Sequence, residues 1–228
     1  MRGTFKEEMA KLGEMSLTEK LQHVWEYYKL QIGGILLASI FVGSMINAWF
    51  INPPPRTYLY VAIQGFFVNP QNVDHMQERL NEIVPDGSNH QVWVNSYALI
   101  HEDPEMLMAV QARFAALISS GELDLFIMNR EAFYSNANGG LLRPAYDFVG
   151  PMAETDINLY NELRSRFVSI TFTPDEGHPP ITDYMAISLQ GSPLLEAAGL
   201  RSYGLYLGMV VNSYSFYEVS KALQVFFN

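Results

Sequence analysis

LQIGGILLASIFVGSMINAWFI, residues 30–51, carries no charged side chain; Lys29 stands just before it and Arg56 is the first charge after it. As a helix rising about 1.5 Å per residue, this stretch reaches roughly 33 Å, close to the hydrocarbon thickness of a bilayer. The core helix of a water-soluble domain rarely stays uncharged for that long. The sequence therefore predicts a transmembrane helix over 30–51, with membrane lipid as its first partner.

Outward from this span the charges are uneven. Arg2, Lys6, Lys11, Lys20 and Lys29 precede it, whereas only Arg56 follows closely. The positive-inside rule then puts the N-terminus in the cytoplasm and the long C-terminal part outside the cell membrane. Trp25, Tyr27 and Tyr28 at one boundary and Trp49 near the other are placed as an aromatic belt would be. Ser16 and Glu19 have capping-box spacing, so a helix is expected to start near Leu17 and run into the membrane. Phe5, Met9 and Leu12 recur at helical spacing, the pattern of a short amphipathic helix on the inner surface, with a disordered basic tail as the alternative. The segment before the span and the span itself are both too long for a cleaved signal peptide, and no A-x-A site follows. An uncleaved signal-anchor is expected. Gly34 and Ala38 are four apart, as are Ser39 and Gly43, a spacing that lets a second helix approach closely; the partner is another membrane protein or a second copy of this chain.

Four segments result: a cytoplasmic segment 1–29, the span 30–51, a proline spacer 52–56 and an extracellular domain 57–228. Pro53-Pro54-Pro55 cannot continue an α-helix and stiffens the spacer. The domain is large enough for its own core. Eight basic and 19 acidic residues lie in it. So acidic a surface repels phosphate backbones, and nucleic acid is excluded as a partner. The chain has no cysteine, which removes disulfides, thiolate metal sites and cysteine nucleophiles.

Within the domain, strand and helix patterns alternate. YLYVAIQ (58–64), QVWVNSYAL (91–99) and LDLFIM (123–128) read as strands; 72–84, 104–119 and 131–137 read as helices. Residues 158–167 are a further helix, and 168–172, 185–190 and 205–211 further strands. An amphipathic helix over 216–227 should dock its apolar side. This alternation predicts an α/β fold with a mainly parallel sheet covered by helices.

The stretch SSGELDLFIMNREAFYSNANGGLLRPAYDF (119–148) resembles the extracellular solute-binding proteins of ABC importers, through Gly121, Asp124, Phe126, Ile127, Phe133, Gly140, Leu142 and Pro144. LYLGMVVNSYSFYEVSKALQVFF (205–227) is similar to a late strand, an Asn-Ser turn and a helix of that family. EKLQHVWEYYKLQIGGI (19–35) resembles single-pass proteins of Gram-positive bacteria that carry such a domain outside. The resemblance implies a solute-binding-like fold. Full family members have two lobes; here residues 141–186 leave too little chain for the second, so the fold is carried over and the substrate is not.

No zinc-type spacing joins His23, His75, His90, His101 and His178, and there is no nucleophile elbow, Walker loop or dinucleotide fingerprint. Asp175, Glu176 and His178 cluster as a solvated acidic turn would. Asp103 before Pro104 reads as a helix cap. No catalytic residue, metal or cofactor is assigned. A small ligand would meet the carboxyl ends of the parallel strands: Gln64 and Gly65, Asn95 and Ser96, and Asn129 and Arg130. Arg130 suits an anion, or a surface ion pair with Glu131 or another acid.

The expectation from sequence is thus a non-enzymatic single-pass membrane protein whose extracellular domain binds an envelope partner, as an accessory subunit of a transporter or membrane assembly. A membrane-tethered receptor for a small solute is one alternative. An envelope hydrolase whose carboxylates meet only in space is another.

Overall fold

The computed structural model describes residues 16–97, 104–172 and 181–228. The amphipathic pattern of Phe5, Met9 and Leu12, the Asp103 cap and the Asp175–Glu176–His178 cluster lie outside the described residues. The chain divides at Pro54–Pro55 into two units.

The first unit is one helix, α1 (Leu17–Ile46), continued by a π-helical end over Asn47–Ile51. It starts at the residue after Ser16, as the capping-box spacing predicts. Lys29–Ile51 is long and apolar enough to cross a membrane, with a mean hydropathy of 1.9. Asn52 Nδ2 donates to Asn47 Oδ1 at 3.0 Å, which ties off the end of the helix just before the prolines.

The second unit is an α/β fold built on a six-stranded sheet. In chain order its elements are β1 (Arg56–Gln64), α2 (Pro70–Asn81), β2 (His90–Tyr97), α3 (Pro104–Ser120), β3 (Leu125–Met128) and α4 (Arg130–Asn138). Then follow α5 (Ala145–Val149), α6 (Met152–Thr155), α7 (Ile157–Ser165), β4 (Phe167–Phe172), β5 (Ile181–Ser188), α8 (Pro193–Ala197), β6 (Tyr206–Met209) and α9 (Phe216–Phe227). The strand order is β2-β1-β3-β6-β5-β4.

The expected mainly parallel sheet is corrected to a mixed one. β1 runs parallel to β2 and β3, but β6 is antiparallel to β3 and to β5, and β4 is antiparallel to β5. The length of the connections accounts for the parallel pairs and for β4 with β5, though not for β6, which a helix-bearing link joins to β5. Helix-bearing links join β1, β2 and β3, as parallel neighbours require, whereas residues 173–180 between β4 and β5 are too few for a crossover.

β1 shows why the sheet is central. Leu59, Val61 and Ile63 are fully buried in one core, and Tyr60 and Ala62 in the other, so both faces of one strand are covered. The first core is closed by α2, α5 to α8 and α9, and the second by α3 and α4. α9 buries Val219, Leu223, Phe226 and Phe227, as its sequence pattern predicts. Burying one such side chain fully is worth about 1.5–3 kcal/mol before entropy is counted.

β2 is an edge strand, and two of its outward N–H groups are covered. Val92 N–H donates to Asn81 Oδ1 at 2.8 Å, and Val94 N–H donates to Gln77 Oε1 at 3.0 Å. Both acceptors sit on α2, whose side chains thus stand in for a missing neighbour strand.

Candidate functional site

The carboxyl ends of β1, β2 and β3 share one rim, since Gln64 stands opposite Tyr97 on one side and Met128 on the other. The loop after β1 turns at Gly65, whose φ of +88° lies in the left-handed region that favours glycine. Asn129, directly after β3, caps α4 by accepting from Ala132 N–H at 2.9 Å. Its side-chain amide also donates to the Gly65 carbonyl at 2.6 Å. Gln64 Oε1 accepts from Asn136 Nδ2 at 2.6 Å. Three amide side chains therefore lock the β1 and β3 loops to each other.

The sequence-predicted residues are brought together in two groups rather than one. Gln64, Gly65 and Asn129 form the lock just described. Arg130 beside it is exposed and lies over the Tyr134 ring at 5.7 Å, a cation–π contact. Asn95 and Ser96 lie apart, on the outer edge of the sheet. They line a groove of about 380 Å³ between β2 and α2, with Val68, Val73, Asp74 and Trp93. Asn95 Nδ2 donates to the Tyr60 hydroxyl at 2.8 Å, which shares a 2.7 Å hydrogen bond with the Tyr97 hydroxyl. Burial, together with that bond, pushes the Tyr97 hydroxyl well above the usual tyrosine range.

Two residues outside the predicted set bear on the chemistry. Asn136 is buried and completes the lock through Gln64, but nothing local in its sequence marks it. Asp124 is also buried. Its Oδ2 accepts from Tyr60 N–H at 2.9 Å and its Oδ1 from the Ser213 hydroxyl at 2.6 Å. Burial raises its carboxyl above the ordinary aspartate range, against the lowering effect of those hydrogen bonds. An acid between two leucines is the sequence signal for such a site. Asp124 joins β1 to the turn after β6; among the described residues no second acid hydrogen-bonds to it, and the charge of Glu218 adds to the raising effect of burial.

Among the described residues, no group of three or more His, Asp or Glu is arranged to hold a metal ion. Gly34, Ala38, Ser39 and Gly43 are all exposed on α1. Ser39 Oγ donates back to the Ile35 carbonyl of its own helix at 2.9 Å. Compared with protein-family models, curated proteins and solved structures, the chain matches none.

Proposed function

We propose that this chain is a single-pass membrane protein, with its N-terminus in the cytoplasm, whose acidic α/β domain binds an envelope partner outside the cell membrane. It acts without catalysis, as an accessory subunit of a transporter or a membrane assembly. One observation carries the reading: none of the apolar window in Lys29–Ile51 is buried. A helix so apolar and so open suits lipid and is an aggregation hazard in water. Gly34, Ala38, Ser39 and Gly43 offer a second membrane helix a close approach.

The state of the polar side chains favours binding of a protein over turnover of a substrate. Gln64, Asn95 and Asn129 are taken up in internal hydrogen bonds, and Asp124 is buried behind Ser213 and Tyr60. The solute-binding resemblance is kept as a reading of the α/β domain. Its two sequence stretches lie side by side, through the β3–β6 pairing, the Leu142–Val210 bridge and the Asp124–Ser213 hydrogen bond. A second reading, a tethered receptor for a small solute, is favoured by the groove at Asn95 and Ser96.

Affinity purification of the full-length protein from its native membrane in mild detergent tests the proposal. A stoichiometric membrane-protein partner is expected. Recovery of the chain alone would overturn the accessory-subunit reading and move the weight to the receptor, for which a thermal-shift screen of small solutes is the next step. A ligand at 100 times its dissociation constant would add about 2.7 kcal/mol of stability.

A further inference from the structure

Residues 52–55 are all that join Ile51, the end of the first unit's helix, to Arg56, the first residue of β1. Five Cα steps reach at most about 18 Å. The inference that follows rests on the reading of α1 as a membrane span. The headgroup layer adds roughly 5–8 Å beyond the hydrocarbon on each side. Chain length alone then keeps the amino end of β1 within a short reach of the lipid surface.

That end of the sheet carries a particular set of side chains. Tyr214, 82% exposed, follows Ser213 in the turn after β6, and Ser213 is tied through Asp124 to Tyr60 in the first half of β1. Tyr217, 62% exposed, lies in the first turn of α9. Lys221 Nζ stands 4.8 Å from the centre of the Tyr217 ring, and a hydrogen bond to Tyr217 holds its ammonium charged. The Arg143 guanidinium packs 5.8 Å from the Tyr214 ring and is itself fixed by the carbonyls of Val211 and Ser213. Arg56 is exposed at the start of β1. Tyrosine suits a boundary where the ring meets apolar matter and the hydroxyl meets water. Lysine and arginine supply the charge that lipid phosphates take.

We propose that this rim, built from Tyr214, Tyr217, Lys221 and Arg56, is a docking surface for the phospholipid headgroup layer of the membrane that holds α1. The tyrosine rings settle at headgroup depth, and Lys221 and Arg56 pair with lipid phosphate. Glu218 acts electrostatically on Lys221 and Tyr58, and Asp147 pairs with Arg143 at 3.9 Å, so the same end of the domain carries acids as well, and the surface reads phosphate rather than net lipid charge. Exposure by itself does not select this rim. Tyr203 is 81% exposed at the opposite end of the sheet, and β1 alone is about 26 Å long at ~3.3 Å per step. Covalent attachment is what distinguishes the two ends.

The absence of cysteine makes the test clean. The full-length variants Tyr214→Cys, Tyr217→Cys, Tyr203→Cys and Phe41→Cys each receive one fluorophore and are reconstituted into phosphatidylcholine vesicles bearing a nitroxide on the headgroup or on the acyl chain. Each rim variant keeps the other rim tyrosine. Labels at 214 and 217 should be quenched several-fold more than the label at 203 by the headgroup nitroxide. The label at 41 should be quenched by the acyl-chain nitroxide. If 41 is quenched but 214 and 217 behave like 203, the span stands and the docking rim is wrong. If 41 is not quenched either, the membrane reading falls and the rim falls with it.

Discussion

The side-chain amide of Asn129 donates to the carbonyl of Gly65 at 2.6 Å, across a sequence separation of 64 residues. This one contact fixes the loop after β1 against the cap of α4. It also leaves no room at Gly65. A Cβ there would sit 2.6 Å from Asn129 Cγ, on a backbone of positive φ. Gly65→Ala should therefore destabilise the domain by about 1–3 kcal/mol. In a chain of this size each kcal/mol lowers the midpoint by roughly 2–4 °C. Thermal unfolding of the full-length protein in detergent, followed by near-ultraviolet circular dichroism, reads the shift; an unchanged midpoint would contradict the lock.

Asp124 gives stability a pH dependence of definite sign. Its folded pKa is raised by burial above the unfolded value. Its contribution is therefore fully present below the unfolded pKa and is lost as pH rises through the folded one. Asp124→Asn keeps the hydrogen-bond geometry. The new carbonyl accepts from Tyr60 N–H, the new amide donates to Ser213 Oγ, and no charge is buried. The stability of the variant relative to the native protein should increase between pH 4 and pH 7. Parallel pH profiles would show that the Asp124 carboxyl titrates alike in the folded and the unfolded chain, and would contradict the raised pKa.

The hydroxyl chain of Asn95, Tyr60 and Tyr97 ranks two conservative substitutions. Tyr97→Phe leaves the Tyr60 hydroxyl with Asn95 as a partner, whereas Tyr60→Phe removes, among the described residues, the hydroxyl that both the half-buried Asn95 and the buried Tyr97 bond to. An orphaned buried polar group costs about 1–3 kcal/mol. Tyr60→Phe should be the more destabilising of the two, measured as a shift in urea midpoint; the reverse order would place the centre of the chain elsewhere.

How far this arrangement is legible in the sequence depends on the range of each interaction. β1, β2 and β3 stand out as apolar runs, and the cap of α4 is visible as Asn129 just before it. The α5 and α6 helices have five and four residues, too few for a 3.6-residue period to be read. The direction of β6 is invisible locally, because a strand's pattern is the same whichever way its neighbour runs. Gln64, Asn95 and Asn129 stand at or near the carboxyl ends of β1, β2 and β3 as their strand patterns predict, yet the hydrogen bonding of Gln64 depends on Asn136, 72 positions away. Arg130 stacks on Tyr134, four residues on, a contact that helical spacing makes possible but does not announce.

The covered edge of β2 protects the domain from pairing with itself. Gln77→Ala with Asn81→Ala removes the acceptors for Val94 and Val92 N–H, at about 1 kcal/mol each. The exposed edge should then template association. Light scattering of the purified protein should report larger particles for the double variant at equal concentration. Equal size distributions would show that the amides matter for stability alone.

The central claim is that one helix crosses the membrane and leaves the α/β domain outside. Single cysteines at Ser16 and Tyr203, both exposed, test it in intact cells with a membrane-impermeant thiol reagent. Tyr203 serves better than its neighbour Ser202, which is buried and accepts a hydrogen bond from Gly191 N–H at 2.9 Å. The account predicts labelling of Tyr203→Cys in intact cells, and of Ser16→Cys only after permeabilisation. Labelling of Ser16→Cys but not Tyr203→Cys would reverse the topology, and labelling of neither would place the whole chain inside the cell.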